Sequence, residues 1–200
     1  MTQPIIIAGV HRCGTSWLAG CLQRAGIQMH EKTSTLTSHN EDPFILNLNI
    51  HTMDRLDLRL MSDPLTDATA DCDSFYFDML GYKLRRVQEG DDRWGFKAPR
   101  IGHLSPLYVQ AFPKAKWIIC SRHLKEAGAS WSERGQGTKR DCTVSLVKQY
   151  VSLLDVLGEE DMHIFNYDGE MYAEESHLED FLGHFVDLQQ SWKKSGRVEG

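Results

Sequence analysis

Three segments of the 200-residue chain combine residue types and spacings that could do chemistry. The first is Gly9-Val10-His11-Arg12-Cys13-Gly14-Thr15-Ser16, a loop between a continuous apolar run and the start of a helix. In that context backbone N–H groups and the positive end of the helix dipole hold a phosphate. The G-x-x-x-x-G spacing is that of a nucleotide-triphosphate loop, but Thr15 stands where that motif has lysine. The loop's own cation is Arg12, two residues before the second glycine. The second segment places Arg122 at the end of the run Ile118-Ile119-Cys120-Ser121, with Ser130 and Arg134 further on. Positions 130 and 134 are expected on one helix face, where both could point at a single dianion. The third is Trp94-Gly95-Phe96-Lys97-Ala98-Pro99-Arg100, in which Lys97 leaves a short strand. Open α/β sheets place ligands at that strand edge.

The elements that must position these residues are legible from periodicity. Ile5–Val10 reads as a strand buried on both faces of a parallel sheet. Trp17, Leu18, Cys21, Leu22 and Ala25 then follow helical spacing, with Gly26 placed to end the helix. Residues 30–43 read as a long polar loop, and a second helix carries Phe44, Leu48 and Met53. After an Asp-rich stretch at 62–74, Phe75, Met79, Tyr82 and Arg86 mark a helix over about 75–89. A strand near Trp94–Lys97, a helix near 103–112, a strand over Lys116–Ser121 and a helix from about Lys125 come next. The stripe Val144, Val147, Tyr150, Val151, Leu154, Leu157 predicts a helix over 143–157 that buries that face. His163–Tyr167 reads as a last strand and Leu178–Phe185 as a last helix. This alternation predicts an α/β fold, a central parallel sheet of about four to five strands with helices on both faces, in a P-loop-like three-layer architecture.

Composition bounds the rest. With 41% apolar residues the chain can bury one core, so residues 1–190 are expected to form a single domain followed by a polar tail at 191–200. No apolar run approaches bilayer-spanning length, and no charged segment introduces the first one. Five cysteines without a C-x-x-C pair argue against a disulfide framework and a thiolate zinc site, so a soluble cytoplasmic protein is expected. Nine histidines fall in no tight ligand spacing, and no metal is expected. A net charge of −6 gives no general attraction for nucleic acid or anionic membranes, so anion binding must come from a local cluster.

The segment His11-Arg12-Cys13-Gly14-Thr15-Ser16-Trp17 resembles the 5′-phosphosulfate loop of sulfotransferases that use 3′-phosphoadenosine 5′-phosphosulfate (PAPS). The resemblance implies that Arg12 contacts the phosphosulfate and that Cys13, Gly14, Thr15, Ser16 and Trp17 form the surrounding loop and helix start. Arg122 with Ser130 is similar to the family's 3′-phosphate element, and Arg134 fits variants with a second arginine. The segment around Lys97 resembles the W-x-x-K-[DA]-P-[RF] stretch of tyrosylprotein-type and bacterial members, which makes Lys97 a second cation at the transferring group. Asn40-Glu41-Asp42 and the helix after it resemble the stretch that follows the first loop in bacterial members. That comparison places the general base at Glu41; a helix-capping or first-turn role for Glu41, and His39 as the base, stay open. Phe165-Asn166-Tyr167-Asp168 and Leu178–Gly183 are similar to family segments expected to pack rather than react.

The likeness implies in-line, metal-independent sulfuryl transfer from PAPS to a hydroxyl or amine, with adenosine 3′,5′-bisphosphate (PAP) as product. The acceptor could be a small molecule, glycan, lipid or peptide, and a homo-oligomer stays open. Several positions depart from the family pattern. His123-Leu124 replaces the usual [HN]-P, Cys13 stands where serine is common, Asn166 stands where arginine is frequent, and the C-terminal G-x-x-G-D-W element is missing. Gly135–Arg140 or Lys193-Lys194 are the nearest substitutes for its cations, and Lys83, Arg85, Arg86 and Arg100 could form a local basic patch. The rival readings are a P-loop kinase-like phosphotransferase, which needs the loop lysine and a carboxylate for Mg²⁺, and a non-catalytic nucleotide-binding protein.

Overall fold

The computed structural model describes residues 3–35, 37, 39–59, 63–65, 72–90, 93–157, 162–167, 178 and 181–182. The tail 191–200, including Lys193 and Lys194, lies outside these residues, as do Asp168 and most of the stretches 62–74 and 178–185. Four strands, β1 (Ile5–Gly9), β2 (Gly95–Lys97), β3 (Lys116–Ser121) and β4 (Met162–Asn166), form one parallel sheet in the order β2-β1-β3-β4. Six helices surround it: α1 (Thr15–Arg24), α2 (Pro43–Arg55), α3 (Asp73–Gln88), α4 (Ile101–Ala111), α5 (Leu124–Ser132) and α6 (Lys139–Val156).

The β-branched run Ile5-Ile6-Ile7 suits a central strand, and all five residues of β1 are buried. Side chains alternate between two cores, as a period of two requires. Ile5, Ile7, Ile118 and Cys120 join Leu18, Leu22, Ala127, Trp131 and Leu146 on one face. Ile6, Ala8, Trp117 and Ile119 join Ile45, Phe75, Tyr82, Phe96 and Tyr108 on the other. Leu178 and Leu182 close onto the first core.

Helix ends follow local chemistry. Asp42 caps α2 by accepting from the N–H groups of Phe44 and Ile45, and Pro43 occupies the first turn, where it sacrifices no hydrogen bond. At the end of α1 Gly26 has φ +91°, and Ile27 N–H donates to Leu22 O while Gly26 N–H donates to Gln23 O, a Schellman closure.

Two helical expectations fare differently. In α3 the buried residues are Phe75, Met79, Tyr82 and Arg86, the face read from spacing. In α6 the face is wrong. Val144, Val147, Val151 and Leu154 are 46%, 41%, 50% and 43% exposed, while Cys142, Ser145, Leu146, Gln149 and Leu153 are buried. The packing of α6 against α4 is the reason: Gly102 leaves room for the Gln149 side chain, and Ser105 hydrogen-bonds Ser152 at 2.7 Å. α6 also begins earlier than expected, because Thr138 caps it by accepting from the Asp141 N–H at 3.2 Å. Lys139 and Arg140 thus belong to its first turn.

Candidate active site

Every strand delivers a polar group to the same edge of the sheet. The loop after β1 carries Arg12, β2 ends at Lys97, Arg122 follows β3 and Tyr167 follows β4. In the order β2-β1-β3-β4 the connections from β1 and β3 leave in opposite directions, so a crevice opens between these two strand ends.

The loop is shaped for close approach of backbone to a ligand. Arg12 and Gly14 have φ of +72° and +84°, and a Cβ on Gly14 would lie 2.0 Å from the Tyr167 ring, so only glycine fits there. Gly14 is the N-cap of α1, contributes no side-chain hydrogen bond, and no acidic residue occupies the first turn. A helix start with neither a side-chain cap nor an acidic first turn is an arrangement that suits an anion. Cys13 is fully buried beneath the loop in the core, so only its main chain belongs to the site.

Two adjoining clefts share Arg12, Thr15 and Ser16. The first, of about 210 Å³, is lined by Arg12, Gly14, Thr15, Ser16, Trp17, Arg122 and Tyr167. Arg12 Nε donates to Ser130 Oγ at 3.0 Å, and the Arg122 guanidinium lies 5.5 Å from the centre of the Tyr167 ring. Burial, then the positive charges of Arg134 and Arg122, lower the proton affinity of the Arg12 guanidinium. A set of cations that depress one another is poised for a polyanion. Arg134 is not on the same helix face as Ser130: α5 ends at Ser132, and the chain turns through Gly135 at φ +76°. It still reaches the site, lining the second cleft.

The second cleft, of about 230 Å³, is lined among others by His11, Arg12, His39, Glu41, Lys97, Arg100, Trp131 and Arg134. Here one carboxylate is shared by two cations. Lys97, 1% exposed, donates from Nζ to Glu41 Oε1 at 2.9 Å, to the His39 carbonyl at 2.9 Å and to Ser16 Oγ at 3.2 Å. Arg100 takes the other carboxylate oxygen, Glu41 Oε2, at 3.4 Å. Burial lowers the Lys97 pKa, and the charge of Glu41 opposes that shift. Asp42 caps α2 and also accepts from Glu31 N–H and the Tyr82 hydroxyl, so Glu41 is spared the capping role and turns into the cleft. The turn that presents it is closed by Glu41 N–H donating to Thr37 Oγ1 and by Asn40 Nδ2 donating to Ser16 O.

All the expected site residues thus gather at one edge, Ser130 through its bond to Arg12 and Cys13 through its main chain. Sequence reasoning passed over three others. Arg100 was grouped with Lys83, Arg85 and Arg86 as a patch, but Arg86 is fully buried and donates to Gln28 O, and Arg100 pairs with Glu41 instead. Tyr167 was assigned to packing, yet it lines the first cleft. His11 is expected only as part of the loop, yet the residue lines the second. The signal for Tyr167 was its place directly after a strand, as for Arg122. Among the described residues no three His, Cys, Asp or Glu side chains gather as a metal site, and no helix is long and apolar enough to cross a membrane.

No family model and no curated protein matches the chain. Solved structures do. The sulfotransferase domain from the curacin biosynthetic pathway is similar with a TM-score of 0.59 at 18% identity, over 91% of this chain and 74% of that one. A sulfotransferase from Mycobacterium avium matches with a TM-score of 0.62 at 15% identity, over 100% of this chain and 69% of that one. A sugar kinase from Janibacter sp. matches at 0.50 and 16% identity, over 91% and 95% of the two chains. The chain therefore carries the three-layer, P-loop-like fold of the sulfotransferases, a fold that extends to the kinase.

Proposed function

We propose that the protein transfers a sulfuryl group from PAPS to a hydroxyl or amine of an acceptor. The observation that carries this reading is the convergence of Arg12, Arg122 and Ser130 on the N-terminus of α1, beside a cleft that holds Lys97. A donor with phosphates at both the 5′ and the 3′ position supplies two anionic groups for two cation clusters. Arg122 and Ser130 fit the 3′-phosphate, and residues 12–17 fit the phosphosulfate. As the S–O bond breaks, charge builds on the bridging oxygen, where Arg12 and the N–H groups of the loop would stabilise it; Lys97, whose ammonium donates to Glu41, His39 and Ser16, would exchange one of these bonds to join them. No step in this scheme uses a metal.

The kinase reading finds less support in the same residues. Thr15 occupies the position of the phosphate-binding lysine, and among the described residues the strand ends carry Lys97, Arg122 and Tyr167 rather than a carboxylate for Mg²⁺. Five buried thiols fit a reducing compartment, and we place the protein in the cytoplasm on that ground.

The test is a thermal-shift titration with PAP against ADP, ATP–Mg²⁺ and 5′-AMP, on the wild type, Arg12→Ala and Arg122→Ala. A ligand at ~100 times its Kd stabilises by roughly 2.7 kcal/mol. Selective stabilisation by PAP, lost in Arg122→Ala, is expected. A preference for ATP–Mg²⁺, or indifference to all four, sinks the proposal.

A further inference from the structure

Glu41 is an awkward proton acceptor, because each of its carboxylate oxygens already takes a hydrogen bond from a cation, Lys97 on one side and Arg100 on the other. Removing a proton from an acceptor hydroxyl would require it to release one of them. His39 serves through its backbone carbonyl, and the residue as a whole is exposed. His11 is held differently. Its ring stacks on Trp131, with centroids 4.8 Å apart and planes 19° from parallel, and both residues line the second cleft. Its Nε2 is buried and has no hydrogen-bond partner among the described residues. A buried ring nitrogen left unpaired costs about 1–3 kcal/mol, and such groups in native proteins call for an explanation.

The charged and titratable groups around His11 come from each element packed there: Arg12 in its own loop, Lys97 and Arg100 at the end of β2, His103 on α4, Arg134 after α5 and Glu41 before α2. Burial, then Arg100, His103, Lys97 and Arg12, hold the imidazole neutral, with its pKa lowered to about 3.

We propose that His11 Nε2 is the catalytic group that receives the acceptor's proton, and that Glu41 is a positioning residue that fixes Lys97 and Arg100. This rests on the sulfuryl-transfer reading above. In the step, a lone pair of the acceptor oxygen or nitrogen forms a bond to sulfur. The bond from sulfur to the 5′-phosphate oxygen breaks, and its electron pair stays on PAP. The proton leaving the acceptor passes to Nε2 and is returned to solvent as the products depart. A weak base suffices, because the acceptor's proton becomes strongly acidic as its oxygen or nitrogen bonds to sulfur. The negative charges of the donor also offset the cations that suppress the imidazole.

Two measurements on the full chain decide. In the first, wild type, His11→Gln and His11→Asn are compared for PAP binding and for PAP formation from PAPS, with water (sulfate as co-product) and simple phenols (aryl sulfate as co-product) as acceptors. Both variants are expected to keep PAP affinity within about threefold and to lose turnover by ~100-fold or more. In the second, the Nε2 resonance of His11 is followed between about pH 3 and 7, a window that spans its lowered midpoint, in [15N]histidine-labelled wild type, free and with PAP plus inorganic sulfate. Its titration midpoint is expected to rise by at least about one unit on binding. Should PAP bind to none of these proteins, the sulfuryl-transfer reading fails and takes this proposal with it. Should PAP bind while His11→Gln keeps wild-type turnover, or while the resonance stays unmoved, only the role of His11 is overturned. Where neither water nor phenol gives a measurable wild-type rate, the nitrogen resonance alone decides.

Discussion

Lys97 and Arg12 line one cleft and are held in opposite ways. Lys97 is buried, and Glu41 takes its charge at 2.9 Å, while Arg100 occupies the second carboxylate oxygen. Arg12 is exposed, its hydrogen-bond partner is the neutral Ser130, and its guanidinium neighbours are Arg134 and Arg122. Arg122 in turn has an exposed carboxylate, Glu126, at 3.4 Å. One side of the cleft has its cations tied to a carboxylate before any ligand arrives. The other gathers positive charge and is completed by an anion. Removing a charge should therefore act on folding in the first case and on binding in the second.

The largest expected effect comes from Glu41→Gln. It leaves the Lys97 charge buried without its counter-ion, a change that costs about 3–5 kcal/mol. Urea denaturation should show that loss with no ligand present. If stability is unchanged, this side is not the structural network described. Arg122→Ala is the mirror experiment. PAP affinity should fall by about 2–3 kcal/mol, the strength of a charge-assisted hydrogen-bond set, while stability stays within about 0.5 kcal/mol. Calorimetric titration and denaturation of the same variant separate the two.

A pH series is next in size. His11 has a folded pKa lowered from the usual 6.5 to about 3, so the unfolded chain binds the proton more tightly. The stability that neutral His11 contributes is fully present above the unfolded pKa and is lost as the pH falls toward the folded one. Between pH 7 and pH 5 the loss should be about 2 kcal/mol. His11→Gln should abolish that part of the slope. The smallest effect belongs to Arg134→Ala, which relieves repulsion on Arg12. PAP affinity should weaken by less than about 1 kcal/mol, with more of the change at low salt, as expected of an exposed charge.

The donor side of this comparison was the more legible in sequence, because its groups are tied to local signals. A glycine-bounded loop after a buried strand, an arginine at the next strand end and a serine one helix onward are short-range patterns, and each appears where expected. The acceptor side depends on long-range pairs: Glu41 with Lys97 lies 56 residues apart and with Arg100 59 residues apart, and nothing local announces them. The same contrast runs through the helices. The apolar face of α3 is its buried face. The valine stripe of α6 faces solvent, because Gln149 and Ser152 find space and partners on α4 that periodicity does not reveal.

The contact between Tyr167 and Gly14 joins the beginning of the chain to its last described strand. It also sets a timetable for synthesis. The loop after β1 emerges first, but the wall that Tyr167 contributes to the first cleft arrives only after β4, some 150 residues later. During translation the nascent chain displays Arg12, Arg122 and Arg134 before that wall exists. The cleft is complete only when nearly all of the described fold has left the ribosome.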